Sequence, residues 1–143
     1  MLSTLLMLSI APVHAADFGT INIGSPAPDF SLPDLSGGTV SLADHKGKVV
    51  VLEWFNPGCP FVKQAHGPDG GLKSMANSWS EKGVVWLAIN SGAPGSQGTG
   101  VDANKRAKSD WKMNHPILLD ESGTVGRSYA AKTTPQMVVI DPK

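Results

Sequence analysis

Apolar residues are grouped along this chain in blocks that polar segments separate. Four blocks rich in Val, Ile and Leu predict strands, and the first two are almost continuously apolar, as expected of strands buried in a sheet. They lie at residues 48–55, 84–89, 115–119 and 137–140. The more polar segments between them, which end at or near Gly or Pro, predict helices. These segments are 59–66, 72–80, 101–111 and 124–131.

The order of these elements predicts an α/β fold. Two shorter stretches, 29–32 and 39–42, alternate polar and apolar residues like two short strands ahead of the first long one. Strands that then alternate with helices are expected to form a central, largely parallel sheet with helices packed on it. The chain has 143 residues, which is enough for one domain with a buried core and too few for two.

Charge and hydropathy narrow the range of partners. The 12 Lys and Arg residues balance the 12 Asp and Glu residues, which argues against a nucleic acid as partner. No apolar run reaches the length of a membrane span.

Residues 1–15 predict a signal peptide, with the mature domain at 16–143. The segment is apolar and ends in Val13-His14-Ala15, which is compatible with signal-peptidase cleavage after Ala15. A signal peptide normally opens with a positive charge, whereas the first Lys here is Lys46. The alternatives are a start upstream of Met1 or an unprocessed apolar N-terminus. The expected location is therefore outside the cytoplasm, periplasmic or extracellular.

The last predicted strand is followed by three residues, 141–143. A strand with nothing to pair its outer edge is a liability in a folded protein. The expectation is that a C-terminal strand and helix are missing from this sequence, or that a partner completes the sheet.

One residue carries the candidate chemistry, the single cysteine of the chain, Cys59. It follows the first long strand and the breaker Asn56-Pro57-Gly58, and it lies at the first turn of a predicted helix. Free backbone N–H groups and the helix dipole at that position favour the thiolate, which is the nucleophilic form of cysteine. Pro60 suits the first helical turn, where its missing N–H costs nothing. The alternative is an inert thiol that behaves as a small apolar side chain.

Several segments together resemble the thioredoxin superfamily, and within it the exported redoxin or AhpC/TSA branch, often called peroxiredoxin-like. The strand and helix of 53–63 contain the pattern W-F-x-x-x-C-P-x-x-K, and Thr134-Pro135 precedes the last strand. The segments 24–30 and 90–95 resemble the entrance and a loop of that branch. The likeness covers about residues 22–143. It implies a thioredoxin-like fold, with a central mixed sheet flanked by helices and an N-terminal β-hairpin.

The resemblance also implies roles for individual residues. Cys59 matches the attacking cysteine of a Cys-x-x-Cys pair, and Val62 stands where the second, resolving cysteine would be. Glu53 matches a buried acid that shuttles a proton to or from the thiol; the alternative is a carboxylate at a sheet edge paired with a Lys. Pro135, after Thr134, matches a cis proline that faces the cysteine. Thr134, Pro135 and Pro60 would therefore form the surface that receives a substrate.

True peroxiredoxins differ from this chain at the positions that activate a peroxide. Their peroxidatic cysteine aligns with Val62, the position of their Thr is taken by Cys59, and their Arg falls near Pro135, where there is none. Three hypotheses remain open: a monothiol thiol–disulfide oxidoreductase, a one-cysteine peroxidase, and a binding module without turnover. The partners expected are protein or small-molecule thiols and disulfides.

No cofactor or metal is expected. Cys59 with one His offers too few ligands for copper or zinc. His66 lies seven residues after Cys59 and could share its helix face, while His45 and His115 are expected at the surface. The glycine-rich segment 91–100 does not match a dinucleotide fingerprint and is interpreted as a flexible connection.

Overall fold

In the computed structural model, residues 21–142 are described, and they form six strands and four helices. The strands are β1 (Ser31–Pro33), β2 (Thr39–Ser41), β3 (Val50–Trp54), β4 (Val85–Asn90), β5 (Ile117–Leu119) and β6 (Gln136–Ile140). The helices are α1 (Pro60–His66), α2 (Leu72–Glu81), α3 (Val101–Asp110) and α4 (Thr124–Ser128). A 3₁₀ turn at Leu42–His45 follows β2. The predicted signal peptide at 1–15 lies outside the described residues.

Four strands form the central sheet in the order β5-β4-β3-β6. β3 pairs parallel with β4, and β4 pairs parallel with β5, whereas β6 runs antiparallel to β3. β1 and β2 form the separate antiparallel hairpin. The α/β architecture, the mixed sheet and the N-terminal hairpin expected from the sequence are thus all present.

The sheet is covered on both faces because successive residues of a strand point to opposite sides. On one face, Leu52 and Trp54 pack with Leu87, Ile89 and residues of the hairpin and α4. On the other face, Phe55 packs with Val62 of α1 and Ala107 of α3. All five residues of β3 are buried, which is why its sequence shows no alternation. β3 ends at Trp54, and the chain then passes through residues 56–58, the cysteine turn, to reach Cys59.

The predicted elements differ from the observed ones mainly at their ends. The last helix was expected at 124–131 but stops at Ser128, because Ala130 takes a left-handed backbone with φ of 51°. The first long strand is shorter than its apolar run, since Phe55 leaves β3 while its N–H still donates to Ile89 O at 2.9 Å.

Candidate active site around Cys59

Cys59 lies between the end of β3 and the start of α1. Its backbone is extended, with φ −73° and ψ 128°, and Pro60 is the first helical residue. The Cys59 N–H donates to Asn56 O at 2.9 Å, and the Cys59 carbonyl accepts from Lys63 N at 3.0 Å. The first of these bonds closes the turn, and the second is the first hydrogen bond of helix α1. The thiol is free and partly exposed.

The segment before β6 meets the sulfur. The peptide bond between Thr134 and Pro135 is cis, as the resemblance implied. The Cys59 Sγ lies 3.3 Å from the carbonyl oxygen of Thr134, to which the neutral thiol donates. Two of the residues named from the sequence, 75 positions apart, are thus brought into contact.

The surroundings of Cys59 lower the pKa of its thiol. The largest cause is a hydrogen bond from the Thr134 side chain, and backbone N–H groups of Val62 and Phe61 act in the same direction. Burial opposes them. The contact to the Thr134 carbonyl favours the neutral thiol, whereas these donors stabilise the ionised sulfur. The Cys59 thiol therefore ionises more readily than the thiol of a free cysteine.

The residues that follow Cys59 divide between surface and core. Pro60 is exposed, and the Phe61 side chain is 70% exposed, so an apolar ring stands in solvent beside the sulfur. Val62, at the position of a resolving cysteine, is fully buried against Phe55. Phe61 was not among the site residues predicted from the sequence, although its place next to Pro60 at the start of the helix was the available signal.

Glu53 is buried in β3 and has two partners. Its Oε1 lies 2.6 Å from His66 Nε2, and its Oε2 accepts from Trp86 Nε1 at 2.9 Å. Both Glu53 and His66 have no exposed surface. The alternative of an edge carboxylate paired with a Lys is therefore wrong, since the partners are a histidine and an indole inside the fold. Glu53 shares a sheet face with Phe55, but its carboxylate oxygens bond to His66 and Trp86, and the sulfur bonds to Thr134.

A second histidine lies beside this pair. His115 was expected at the surface, but it is only 4% exposed, with its ring centroid 6.5 Å from that of His66 and 6.1 Å from that of Trp86. The expectation failed because His115-Pro116 leads into the buried strand β5, and the chain carries the ring inward. Lys108 of α3 covers this point and donates to the carbonyl oxygens of Met113 and His115.

The burial of His115 changes its titration. Desolvation lowers the pKa of His115 to about 3, and the charges of Lys108 and His66 act in the same direction. Desolvation also lowers the pKa of Lys108. His115 is thus a neutral ring at physiological pH.

A cavity of about 650 Å³ is lined by residues 21–28, Tyr129 and residues 138–141, and Cys59 is not part of its lining. Within residues 21–142, no three His, Cys, Asp or Glu side chains are grouped so as to hold a metal ion. No helix in this part of the chain combines the length and apolar character of a membrane span.

Comparison with known proteins decides the family. The family model described as AhpC/TSA family matches residues 23–143. The chain belongs to the AhpC/TSA family. It is 28% identical over 141 residues to the thiol-disulfide oxidoreductase ResA of Geobacillus thermodenitrificans, covering 96% of this chain and 76% of the relative. It is 32% identical over 114 residues to a Coxiella burnetii protein named as peroxiredoxin bcp, covering 77% of this chain and 67% of the relative.

Solved structures agree with this assignment. The thioredoxin domain of a thiol-disulfide oxidoreductase from Bacteroides vulgatus superposes with a TM-score of 0.69 at 26% identity, covering 86% of this chain and 84% of that one. This AhpC/TSA protein therefore has the thioredoxin-like fold that its motifs implied. Its relatives include proteins named for two chemistries, thiol–disulfide exchange and peroxide reduction. Both chemistries are carried out by a cysteine thiolate.

Proposed function

We propose that this protein is a monothiol thiol–disulfide oxidoreductase in which Cys59 is the nucleophile. The observation that carries the proposal is the contact of the free, partly exposed Cys59 sulfur with Thr134, beside a cis proline. This position lowers the pKa of the thiol. The relatives named as thiol–disulfide oxidoreductases support the same reaction class.

The reaction proceeds by exchange between sulfurs. The Cys59 thiolate attacks one sulfur of a disulfide, a new S–S bond forms, and the other sulfur leaves as a thiolate that takes up a proton. The product is a mixed disulfide between Cys59 and the substrate. An external thiolate then attacks the Cys59 sulfur, which releases the second substrate sulfur as a thiolate and leaves Cys59 joined to the external thiol. A second external thiolate attacks the external sulfur of that bond and releases the Cys59 thiolate, so that the substrate disulfide is reduced and two external thiols are oxidised to a disulfide.

The resolving thiol comes from outside this sequence. Cys59 is the single cysteine among the 143 residues, and the helix position one turn later holds the buried Val62. The partners are therefore protein thiols or small thiols such as glutathione. Thr134, Pro135 and Pro60 border the sulfur and would meet the incoming substrate.

Glu53 has an indirect role in this proposal. Because His66 and Trp86 bond to its carboxylate oxygens, we assign it to proton storage through the Glu53–His66 pair rather than to a direct bond with the sulfur.

Formation of the mixed disulfide tests the function. The protein is incubated with glutathione disulfide, and the mass of the product is measured. The expected result is one glutathione added per chain and none in Cys59→Ser. Thr134→Val should slow the reaction because it removes the side-chain hydroxyl near the sulfur, whereas Thr133→Val, the same change at the exposed neighbour, should not. A protein that never forms the adduct would refute the proposal and favour a binding module.

A one-cysteine peroxidase is the second candidate. The similarity to the Coxiella protein named as a peroxiredoxin supports it. In that reaction, Cys59 thiolate takes an oxygen from a peroxide to give a sulfenic acid and an alcohol or water, and external thiols reduce it back. The groups that lower the pKa of Cys59 are a Thr side chain and backbone N–H groups, without a guanidinium among them. Rapid, Cys59-dependent consumption of hydrogen peroxide would establish this reaction.

We propose export as the setting for this chemistry. The apolar residues 1–15 support it, and a single, partly exposed thiol suits exchange with substrates in an oxidising compartment. N-terminal sequencing of the protein from the extracytoplasmic fraction should begin at Ala16. Recovery of the intact chain from the cytoplasm alone would contradict this location.

A further inference from the structure

The glycine-rich segment between β4 and α3 contacts the cysteine turn. This segment, residues 91–100, was interpreted from the sequence as a flexible connection. The Asn56 side chain joins it to the turn: Asn56 Nδ2 donates to Gln97 O at 3.0 Å, while Asn56 Oδ1 accepts from Gly58 N at 2.7 Å. One side chain therefore holds both the segment and the residue directly before Cys59.

Gly98 brings the two backbones into direct contact. Its φ of +74° lies in the left-handed region, and a Cβ built there would overlap Asn56 Oδ1 and lie 2.6 Å from Gly58 N. Gly58 N is a backbone atom, and Asn56 Oδ1 is already bonded to it, so neither can simply rotate away. The approach is possible because residue 98 has no side chain.

Buried asparagines hold the other side of the segment. Asn90, at the end of β4, donates to Gly98 O at 2.8 Å and to Asn104 Oδ1 at 3.0 Å. Asn104 of α3 in turn donates to Gly100 O at 2.8 Å. Asn90 is 3% exposed and Asn104 is fully buried. Buried amides of this kind are retained where their hydrogen bonds are satisfied, so the segment is fixed to the core of the fold.

We propose that segment 91–100 is a positioning element for Cys59, which clamps residues 56–58 between Gly98 and the end of β3. The contacts of the segment are independent of the proposed function. Only the use of these contacts in thiol–disulfide exchange rests on it. Through the bond from Cys59 N to Asn56 O, the clamp determines where the sulfur stands relative to Thr134. A shift of the turn would disturb the contacts between the sulfur and Thr134.

Two glycine substitutions separate this role from general strain. Gly95 also has a left-handed backbone, with φ of +82°, but a Cβ there meets nothing within 4 Å. Gly98→Ala and Gly95→Ala therefore both place an alanine in the left-handed region, and only the first pushes on the turn. Gly98→Ala should raise the midpoint of the pH profile of Cys59 alkylation and slow alkylation at pH 6 about three-fold or more, since half a pKa unit changes the thiolate fraction by about that factor. Gly95→Ala should leave the midpoint where it is.

Asn56→Ala tests whether the clamp positions Cys59 if Gly98→Ala does not fold. It removes both side-chain bonds of the clamp and should shift the same midpoint upward, while Asn77→Ala on α2 serves as its control. An unchanged midpoint in folded Gly98→Ala or Asn56→Ala, or an equal shift in Gly95→Ala, would overturn the clamp. Glutathione adduct formation by the wild-type protein would in that case still stand, so failure of the clamp is distinct from failure of the proposed function.

Discussion

The neutral His115 should make the protein sensitive to mild acid. Its ring is buried beside Trp86 and His66, and within the described part of the chain neither ring nitrogen has a hydrogen-bond partner. Lys108 adds a positive charge nearby. Protonation of this ring in the folded state would place a second cation in the same region without a partner, so the folded state resists it.

The size of the effect follows from the difference in pKa. The pKa of His115 is about 3 in the folded protein and about 6.5 for an ordinary histidine. Between these two values the unfolded chain binds a proton at this ring and the folded protein does not. Stability from this group is full above pH 6.5 and is lost as the pH falls from 6.5 toward 3. Between pH 7 and pH 5, this single site should cost about 2 kcal/mol of the free energy of unfolding.

His115→Leu removes the titrating group at nearly constant volume, so its stability at pH 7 should stay within about 1.5 kcal/mol of the wild type. Urea unfolding followed by tryptophan fluorescence at pH 7 and pH 5 measures the two free energies. The wild type should lose about 2 kcal/mol more than His115→Leu over this interval. Met113→Leu, a conservative change at a neighbouring buried residue, should behave like the wild type. Equal acid losses in His115→Leu and the wild type would show that His115 is not the source of the acid sensitivity.

Three other substitutions test separate parts of the account. His66→Ala should lower the free energy of unfolding in urea by about 3–5 kcal/mol, because it leaves the Glu53 carboxylate buried without that partner. Val62→Cys should provide an internal resolving thiol, so that mass spectrometry no longer detects a lasting Cys59–glutathione adduct. Asp120→Ala should cost about 2–3 kcal/mol in the same unfolding assay, because the carboxylate accepts from Ser91 Oγ and from two backbone N–H groups of α4. Unchanged stability, or an adduct as long-lived as in the wild type, would contradict the respective prediction.

The strands and helices could be predicted because their burial produces local patterns of apolar and polar residues. β3 and β4 are covered on both faces and therefore read as apolar runs, and Gly or Pro marks the turns that end them. The place of Cys59 before a helix follows from the same local signals. The cis bond at Pro135 could be anticipated only through the resemblance to a known family.

The contacts around the site could not be predicted because they join residues far apart in the chain. His66 lies 13 residues from Glu53, and Trp86 lies 33 residues from it, and no local pattern pairs them. The bond between Asn56 and Gln97 spans 41 residues. A glycine-rich segment reads as a flexible connection unless the backbone that it touches is known, which is why the clamp on the cysteine turn was missed.

The central claim is that Cys59 is an activated thiolate, and the pH dependence of its alkylation tests this most directly. The rate of reaction of the full chain with iodoacetamide is measured from pH 4 to pH 10, with Cys59→Ser as the blank. We expect an apparent pKa well below about 8.5, the value of a free cysteine. An apparent pKa at or above that value would contradict it.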